Sequence, residues 1–140
     1  EFDSDDSTAT ISTIYGNKDG RTFVYAQEKG VNAAGSAMTA YIESGDIDIA
    51  DGDQFISISR FIPDFKNQTG TVDVTVKSRP YPASSQTTNG PYAITTSTTK
   101  QDTRIRGRQL ALRVGSDAVD EDWRYGTMRF DGKPDGLRGA

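Results

Sequence analysis

Cysteine and histidine are both absent from this sequence of 140 residues. Without cysteine the chain can form neither disulfide bonds nor thiolate metal sites. Without histidine it lacks the commonest general base, the physiological pH switch and the main zinc ligand. It also has no phosphate-binding glycine loop and no dinucleotide-binding motif. The sequence therefore predicts a protein that is not an enzyme; only a carboxylate pair of the glycosidase type, drawn from Glu43, Asp46 or Asp48, stays open.

Long apolar runs are missing as well. No stretch approaches the roughly 18 apolar residues of a membrane-spanning helix, so no membrane partner is expected. Hydrophobic residues make up 34% of the chain, which leaves a small core. A β-sandwich can be built on such a core because alternate residues of its strands face water. The net charge of −4 favours solubility and argues against strong nucleic-acid binding.

Short runs of threonine, valine, isoleucine and aromatic residues recur along the chain with a period of two, which is the pattern of half-buried strands. The pattern predicts one all-β domain over residues 1–140, an antiparallel β-sandwich or jelly-roll-like fold of about eight strands. Residues 1–7 are expected to be a flexible acidic segment, and Ser84–Pro91 an exposed loop. The predicted strands are Thr8–Tyr15, Arg21–Glu28, Val31–Glu43, Gln54–Ile62, Thr71–Lys77, Tyr92–Thr98, Arg104–Val114 and Trp123–Phe130.

Charge is distributed unevenly along the chain. Glu1–Asp64 carries twelve acidic and four basic residues, whereas Phe65–Ala140 carries eight acidic and twelve basic ones. Such segregation suits head-to-tail contacts between copies, or a partner that meets only one face. Simple solvation of both sets explains the pattern equally well.

A group of aspartates, Asp46, Asp48, Asp51 and Asp53, is the first candidate site. Several carboxylates on a bent backbone are what calcium prefers, so this segment is a candidate calcium site. The spacing does not match the helix-flanked calcium loop, because no glutamate closes it. The favoured alternative is a strand in which Asp46 and Asp48 face outward, followed by a turn at Asp51–Asp53.

Arginines at alternate positions form the second candidate site. In an extended strand Arg104, Arg106 and Arg108 point the same way and form a stripe of guanidinium groups. Such a stripe can bind carboxylates or phosphates through paired hydrogen bonds. Because the domain is acidic overall, we expect pairing within the chain or with a protein partner rather than with nucleic acid.

The only tryptophan, Trp123, is followed by Arg124 in a strand-like segment. A lone tryptophan flanked by charges is most often an anchor in a core or an interface, with its N–H hydrogen-bonded. Stacking on a sugar is the alternative. Trp123, Arg124 and the three arginines of the stripe are therefore the predicted interface residues.

Several segments between Ser44 and Arg138, taken together and in order, resemble structural proteins from the tails of short-tailed bacteriophages. In those proteins an Arg-Gly-Arg strand, a Trp-Arg-aromatic-Gly strand and a Pro-Asp-Gly segment close the chain in the same order. The segments that carry the resemblance are GDIDIADGDQF (Gly45–Phe55), IPDF (Ile62–Phe65), TVDVTVKSRPYP (Thr71–Pro82), GPYAITTSTTKQDTRIRGRQLALRV (Gly90–Val114) and DWRYGTMRFDGKPDGLR (Asp122–Arg138).

The resemblance implies a virion protein of the tail tube or nozzle type, and this chain is similar to the C-terminal domain of such a protein. It implies homo-oligomeric contacts, other virion proteins as partners, non-specific proximity to packaged DNA, and assembly in the bacterial cytoplasm. No cofactor is expected unless calcium binds. The alternative function is a carbohydrate- or ligand-binding β-sandwich module, with calcium as its candidate cofactor.

Overall fold

A computed structural model of the chain describes residues 14–18, 21–25, 30–33, 35–49 and 54–137, with side chains from Gly30 onwards. Every element in these ranges is a β-strand and every strand pair is antiparallel, which confirms the all-β prediction. The same residues contain no helix that could span a membrane. The strands are β1 (Ile14–Lys18), β2 (Arg21–Tyr25), β3 (Ala40–Glu43), β4 (Ile47–Asp48), β5 (Gln54–Ile62), β6 (Phe65–Thr69), β7 (Val72–Arg79), β8 (Thr87–Ile94), β9 (Gln101–Gly107), β10 (Gln109–Ser116), β11 (Asp122–Tyr125) and β12 (Arg129–Leu137).

Two sheets and a ribbon form a sandwich-like arrangement. The large sheet has the order β3-β10-β7-β8, and the short strand β4 pairs with β10 on the same edge as β3. The small sheet has the order β12-β5-β9, while β6 and β11 form a two-stranded ribbon. β1 and β2 pair with each other as a separate hairpin. The predicted sandwich-like fold is confirmed, although its strands are shorter and more numerous than expected.

One apolar core lies between the two sheets. Val72, Val74 and Val76 of β7 are buried, as their alternation predicts. Ile58 and Phe61 of β5 belong to the same cluster and contribute the side of the small sheet. Burial of the inward residues of each strand is what holds the sheets face to face. The other buried members of the cluster are Ile94, Ile105, Leu110, Val114 and Met128.

A long antiparallel ladder runs through both the small sheet and the ribbon. β5 pairs with β12 and β6 pairs with β11, so the same two segments of chain continue side by side across a bend. At the bend the Gly126 N–H donates to the Asp64 carbonyl at 2.8 Å, and the Thr127 N–H donates to Asp64 Oδ2 at 3.2 Å. A Cβ on Gly126 would lie 2.5 Å from that Oδ2 atom, so the close approach of the two segments requires glycine.

Two predicted strands are each divided in the structure. Arg104–Val114 is not one strand, because the chain leaves the small sheet after Gly107 and enters the large sheet at Gln109. Gly107 allows this crossing, since a Cβ there would lie 3.0 Å from the Ser78 Cβ atom. Trp123–Phe130 is likewise shared between β11 of the ribbon and β12 of the small sheet.

The loop predicted at Ser84–Pro91 is wrong for most of its length, because β8 begins at Thr87 and pairs along β7. Threonine-rich sequence suits an edge strand as well as a loop, and an edge strand tolerates Pro91. Within the predicted strand Val31–Glu43, only Ala40–Glu43 forms regular sheet. The predicted flexible segment 1–7 lies outside the described residues.

Candidate functional site

The two sheets differ in width, and this difference creates the candidate site. The large sheet is four strands wide, whereas the small sheet has three strands. On one side the sheets are joined, because the hydroxyl groups of Tyr92 in β8 and Thr103 in β9 form a hydrogen bond of 2.5 Å. On the other side the large sheet ends in β3 and β4 and the small sheet ends in β12, and Ile42 and Ile47 are 47% and 58% exposed there. The inner face of β3 and β4 is therefore left partly uncovered.

An apolar cavity of about 470 Å³ opens at this side, between the two sheets. Its floor contains buried residues of both sheets, including Ile58, Val76 and Leu110. Ile47 on β4 forms one lip and is 58% exposed, while Tyr125 and Phe130 on the opposite lip are 39% and 37% exposed. The opening thus presents large apolar side chains to water.

A second hollow of about 290 Å³ continues along β3 and is lined by Met38, Ala40, Ile42 and Trp123, among others. Ile42 is 47% exposed although it pairs directly with the fully buried Val114. Directly opposed residues share one face of a sheet, so Ile42 faces inward and lacks a cover. The two hollows together are called the groove below.

An irregular segment between β3 and β4 keeps the groove apolar. The Ser44 N–H donates to the Leu112 carbonyl at 2.9 Å, and the Ser44 hydroxyl accepts from the Leu112 N–H at 2.9 Å. Three residues of this segment face two residues of β10, which is the geometry of a bulge. Ile42 and Ile47 are five positions apart, an odd number, and the extra residue brings both to the inner face.

Ion pairs cover the outer face of the large sheet. The Glu43 carboxylate bonds to the Lys77 ammonium group and to Arg113 Nη1, the latter at 3.1 Å. These hydrogen bonds, first from Lys77 and then from Arg113, lower the pKa of Glu43 below its usual value of 4.5. Arg79 pairs with Asp46 at 2.9 Å. Glu43 and Asp46 of the acidic first half are therefore paired with basic residues of the second half inside one chain.

Of the four predicted calcium ligands, two have protein partners. Asp46 pairs with Arg79 and also accepts a hydrogen bond from Gln86 at 3.2 Å, while Asp48 accepts one from Gln109 at 2.7 Å. Both face outward, in agreement with the strand alternative. Asp51 and Asp53 lie outside the described residues. The residues that the structure describes contain no group of three or more acidic side chains suited to a metal ion, and the calcium site stays a prediction.

The predicted arginine stripe is wrong in one of its three members. Arg104 and Arg106 face outward from β9, but Arg108 follows the crossing at Gly107 and is buried. Arg106 binds Asp135, with Nε 2.5 Å from Oδ2 and Nη2 3.0 Å from the carbonyl oxygen. The three side chains would share one face only if a single strand continued through Arg108. The chain instead changes sheets after Gly107. Arg106 nevertheless pairs within the chain, as one of the two hypotheses held.

Trp123 anchors the ribbon against the end of the groove. Its Nε1–H donates to the Ser116 hydroxyl at 3.0 Å, and its ring packs edge-on against Phe65 with centroids 6.1 Å apart. Arg124 is exposed on the other face of the ribbon, directly opposite Lys66. The role of Trp123 and Arg124 in an interface stays a prediction.

Burial and like charge act together on Asp73, on the outer face of β7. Partial burial, and after it the negative charges of Asp117 and Glu121, raise the pKa of Asp73 above its usual value of 3.8. This carboxylate is therefore less favourable in the folded chain than in water.

The site residues that sequence patterns missed are the apolar ones. Ile42, Ile47, Tyr125 and Phe130 fall on inward positions, so alternation predicts burial for them. No sequence signal shows that the strand opposite them is missing.

The fold and the groove together define a class: an all-β, sandwich-like domain with one uncovered side. Comparison with protein-family models found no match, and comparison with curated proteins found none either.

Proposed function

We propose that this domain is a non-enzymatic structural component of a phage tail, which assembles through contacts between copies. The observation that supports the proposal best is the groove. The groove exposes apolar side chains of the edge strands β3 and β4, and the other described strands do not cover them. Contiguous exposed apolar surface on a folded domain marks an interaction site.

Burial of the groove provides the driving force for assembly. Apolar surface removed from water contributes roughly 25 cal/mol per Å², so covering several half-exposed aromatic and isoleucine side chains is worth several kcal/mol. The outer face of the large sheet would contribute less free energy to assembly, because Glu43 already binds Lys77 and Arg113 there. The groove is therefore the surface that gains most from a second copy.

In the proposed assembly the groove of one copy receives a different surface of the next copy. A contact between unlike surfaces of identical copies is head-to-tail, and such contacts form rings when the rotation closes. A ring is the geometry of a tail tube. The order of the resembling segments from Gly45 to Arg138 agrees with this function. The proposal carries with it a location in the virion, other virion proteins as partners and non-specific proximity to packaged DNA.

Oligomeric mass tests the proposal. The purified chain is measured by mass photometry and by analytical ultracentrifugation at rising concentration, and the assembled fraction is viewed by negative-stain electron microscopy. We expect species of several copies and closed rings. Ile47→Asp, in the groove, should shift the population towards monomer. Val119→Asp is the matched control, because Val119 is 49% exposed and does not line the groove. A chain that stays monomeric at all concentrations would contradict the proposal.

A ligand-binding module is the second candidate function. The cavity volume of about 470 Å³ lies within the usual range of ligand sites, roughly 300–1,000 Å³. Its lining is mostly apolar, which suits an apolar ligand better than a carbohydrate. Titration with an apolar fluorescent dye, compared between the wild type and Ile47→Asp, tests this function. A thermal melt with and without calcium tests the proposed cofactor.

A further inference from the structure

The β1–β2 hairpin has no partner sheet in the described part of the chain. Its two strands pair with each other in the register Ile14–Tyr25 to Lys18–Arg21, and with no strand of either sheet. A two-stranded hairpin alone in water is at best marginally stable and needs a further strand or an apolar face. The hairpin therefore requires a binding surface elsewhere.

A further strand would cover the groove. One added strand beside β12 would make the small sheet as wide as the large sheet and would cover the inner face of β3 and β4. The outer edge of β12 pairs with no described strand, so its backbone groups can accept a new one. Main-chain hydrogen bonds would hold such a strand, and its alternate side chains would fill the groove.

The two halves of β12 differ in their capacity to accept a further strand. Pro134 lies in the second half and has no N–H to donate, so it interrupts pairing at a sheet edge. Arg129–Gly132 contains no proline. This half contains Phe130 and Gly132, which line the groove, so the open part of the edge and the apolar surface coincide.

We propose that the β1–β2 hairpin of one copy docks into the groove of a second copy, with one hairpin strand beside the first half of β12. The inference rests on the proposed function and names the contact through which copies assemble. It joins two parts of the sequence, the hairpin and the edge of β12, that pair with no further strand among the described residues. Since the hairpin and the groove are different surfaces, the contact is head-to-tail and can be repeated from copy to copy.

A second copy is favoured because none of the described strands that border the groove pairs with β1 or β2. β1 and β2 have extensive contacts only with each other among the described strands. The chain is fixed again at Asn32, whose Nδ2 donates to Asp120 Oδ1 at 2.6 Å and whose Oδ1 accepts from the Asp120 N–H at 2.8 Å. The seven Cα–Cα steps from Tyr25 to Asn32 can span at most about 23–25 Å, a reach that allows the hairpin to extend away from the sheets of its own copy.

Mixing two complementary variants of the full chain tests the inference. Phe23→Asp alters the hairpin and leaves the groove intact, whereas Ile47→Asp alters the groove and leaves the hairpin intact. Each variant alone should be monomeric, with a dissociation constant raised roughly tenfold or more, because docking would bury an unpaired carboxylate. An equal mixture should form a dimer and nothing larger, since only one intact hairpin and one intact groove remain. Val119→Asp should assemble like the wild type.

Several outcomes would overturn the inference. If the wild type assembles and both variants assemble equally well, the contact lies elsewhere while the proposed function stands. If the wild type is monomeric and both variants only lower its melting temperature, the hairpin docks in its own groove, and the proposed assembly fails too. Circular dichroism verifies that each variant is folded.

Cysteine cross-linking gives an independent measurement, because the natural chain contains no cysteine. Mixed Tyr25→Cys and Phe130→Cys chains should form a disulfide-linked dimer under oxidising conditions, because positions 23 and 25 of one strand face the same side. Tyr25→Cys mixed with Val119→Cys should not. Equal cross-linking of both mixtures would count against the proposed contact.

Discussion

Tyr92 and Thr103 join the two sheets of the domain through their side chains. Their hydroxyl oxygens are 2.5 Å apart, and Thr103 is buried. The Tyr92 ring also packs edge-on against Phe61, with centroids 5.5 Å apart. This contact closes one side of the sandwich, and the groove lies on the other side.

Tyr92→Phe should lower the free energy of unfolding by about 1–3 kcal/mol, because the buried Thr103 hydroxyl loses its partner. Urea denaturation monitored by fluorescence measures the change. Thr103→Val should have a similar effect. The double variant should cost clearly less than the sum of the two, since the hydrogen bond is then removed as a pair. Additive costs would show that the bond contributes little.

The three arginines of the predicted stripe should behave differently from one another. Arg108→Ala removes a buried side chain and should lower the free energy of unfolding by about 1–3 kcal/mol. Arg104→Ala changes an exposed position and should stay within about 0.5 kcal/mol of the wild type. Thermal melts of both variants measure the difference. Equal losses of unfolding free energy in Arg104→Ala and Arg108→Ala would contradict the different burial of the two side chains.

Glu43→Gln should lower the melting temperature at pH 7. The pKa of Glu43 is lowered by hydrogen bonds from Lys77 and Arg113, so its carboxylate stabilises the fold above pH 4.5, the ordinary pKa. That contribution is lost as the pH falls through the lowered pKa. The melting temperatures of variant and wild type should therefore converge well below pH 4.5. Since the pair is exposed, high salt should also narrow the gap.

Asp73→Asn should have the opposite sign. The pKa of Asp73 is raised by burial and by its acidic neighbours, so the fold is most stable while this carboxyl is protonated. The stability present below pH 3.8, its ordinary pKa, is lost as the pH rises through the raised pKa. The variant should melt higher than the wild type at pH 7, and the two should agree at low pH. Asp117→Asn should give a smaller gain.

Gly126→Ala should destabilise the fold by about 1–3 kcal/mol, the usual cost of forcing an extra methyl group into a packed site. The new Cβ would lie 2.9 Å from the Asp64 carbonyl oxygen, which belongs to the backbone and cannot swing away. Gly45→Ala is the matched control, because no atom lies within 4 Å of its added Cβ. Chemical denaturation of both variants measures the difference, and equal stabilities would contradict the tight bend.

Alternation along single strands was enough to predict the fold class and much of the core. Val72, Val74 and Val76 lie in a strand paired on both sides, so a residue that faces inward there is covered. The same rule fails at Ile42 and Ile47. They also face inward, but they belong to edge strands, and strand order depends on long-range pairing that a local pattern does not contain.

The division of Arg104–Val114 was hidden for a similar reason. A single glycine in a strand pattern indicates a close backbone approach or a bulge, but it does not show that the next residue joins another sheet. The strand pattern therefore predicts a surface position for Arg108, where arginine is usually found. The predicted site was charged, whereas the groove that the structure reveals is apolar.

The order of synthesis determines when the middle strand of the small sheet can pair. β5 is the middle strand of the small sheet, and its neighbours β9 and β12 follow it by about 40 and 70 residues. Pairing over such separations is slow, because a long loop must close first. During synthesis β5 therefore stays unpaired until β9 and β12 have emerged from the ribosome. A nascent chain that stops short of β12 lacks Phe130, so the lip opposite Ile47 stays incomplete until the last described strand is made.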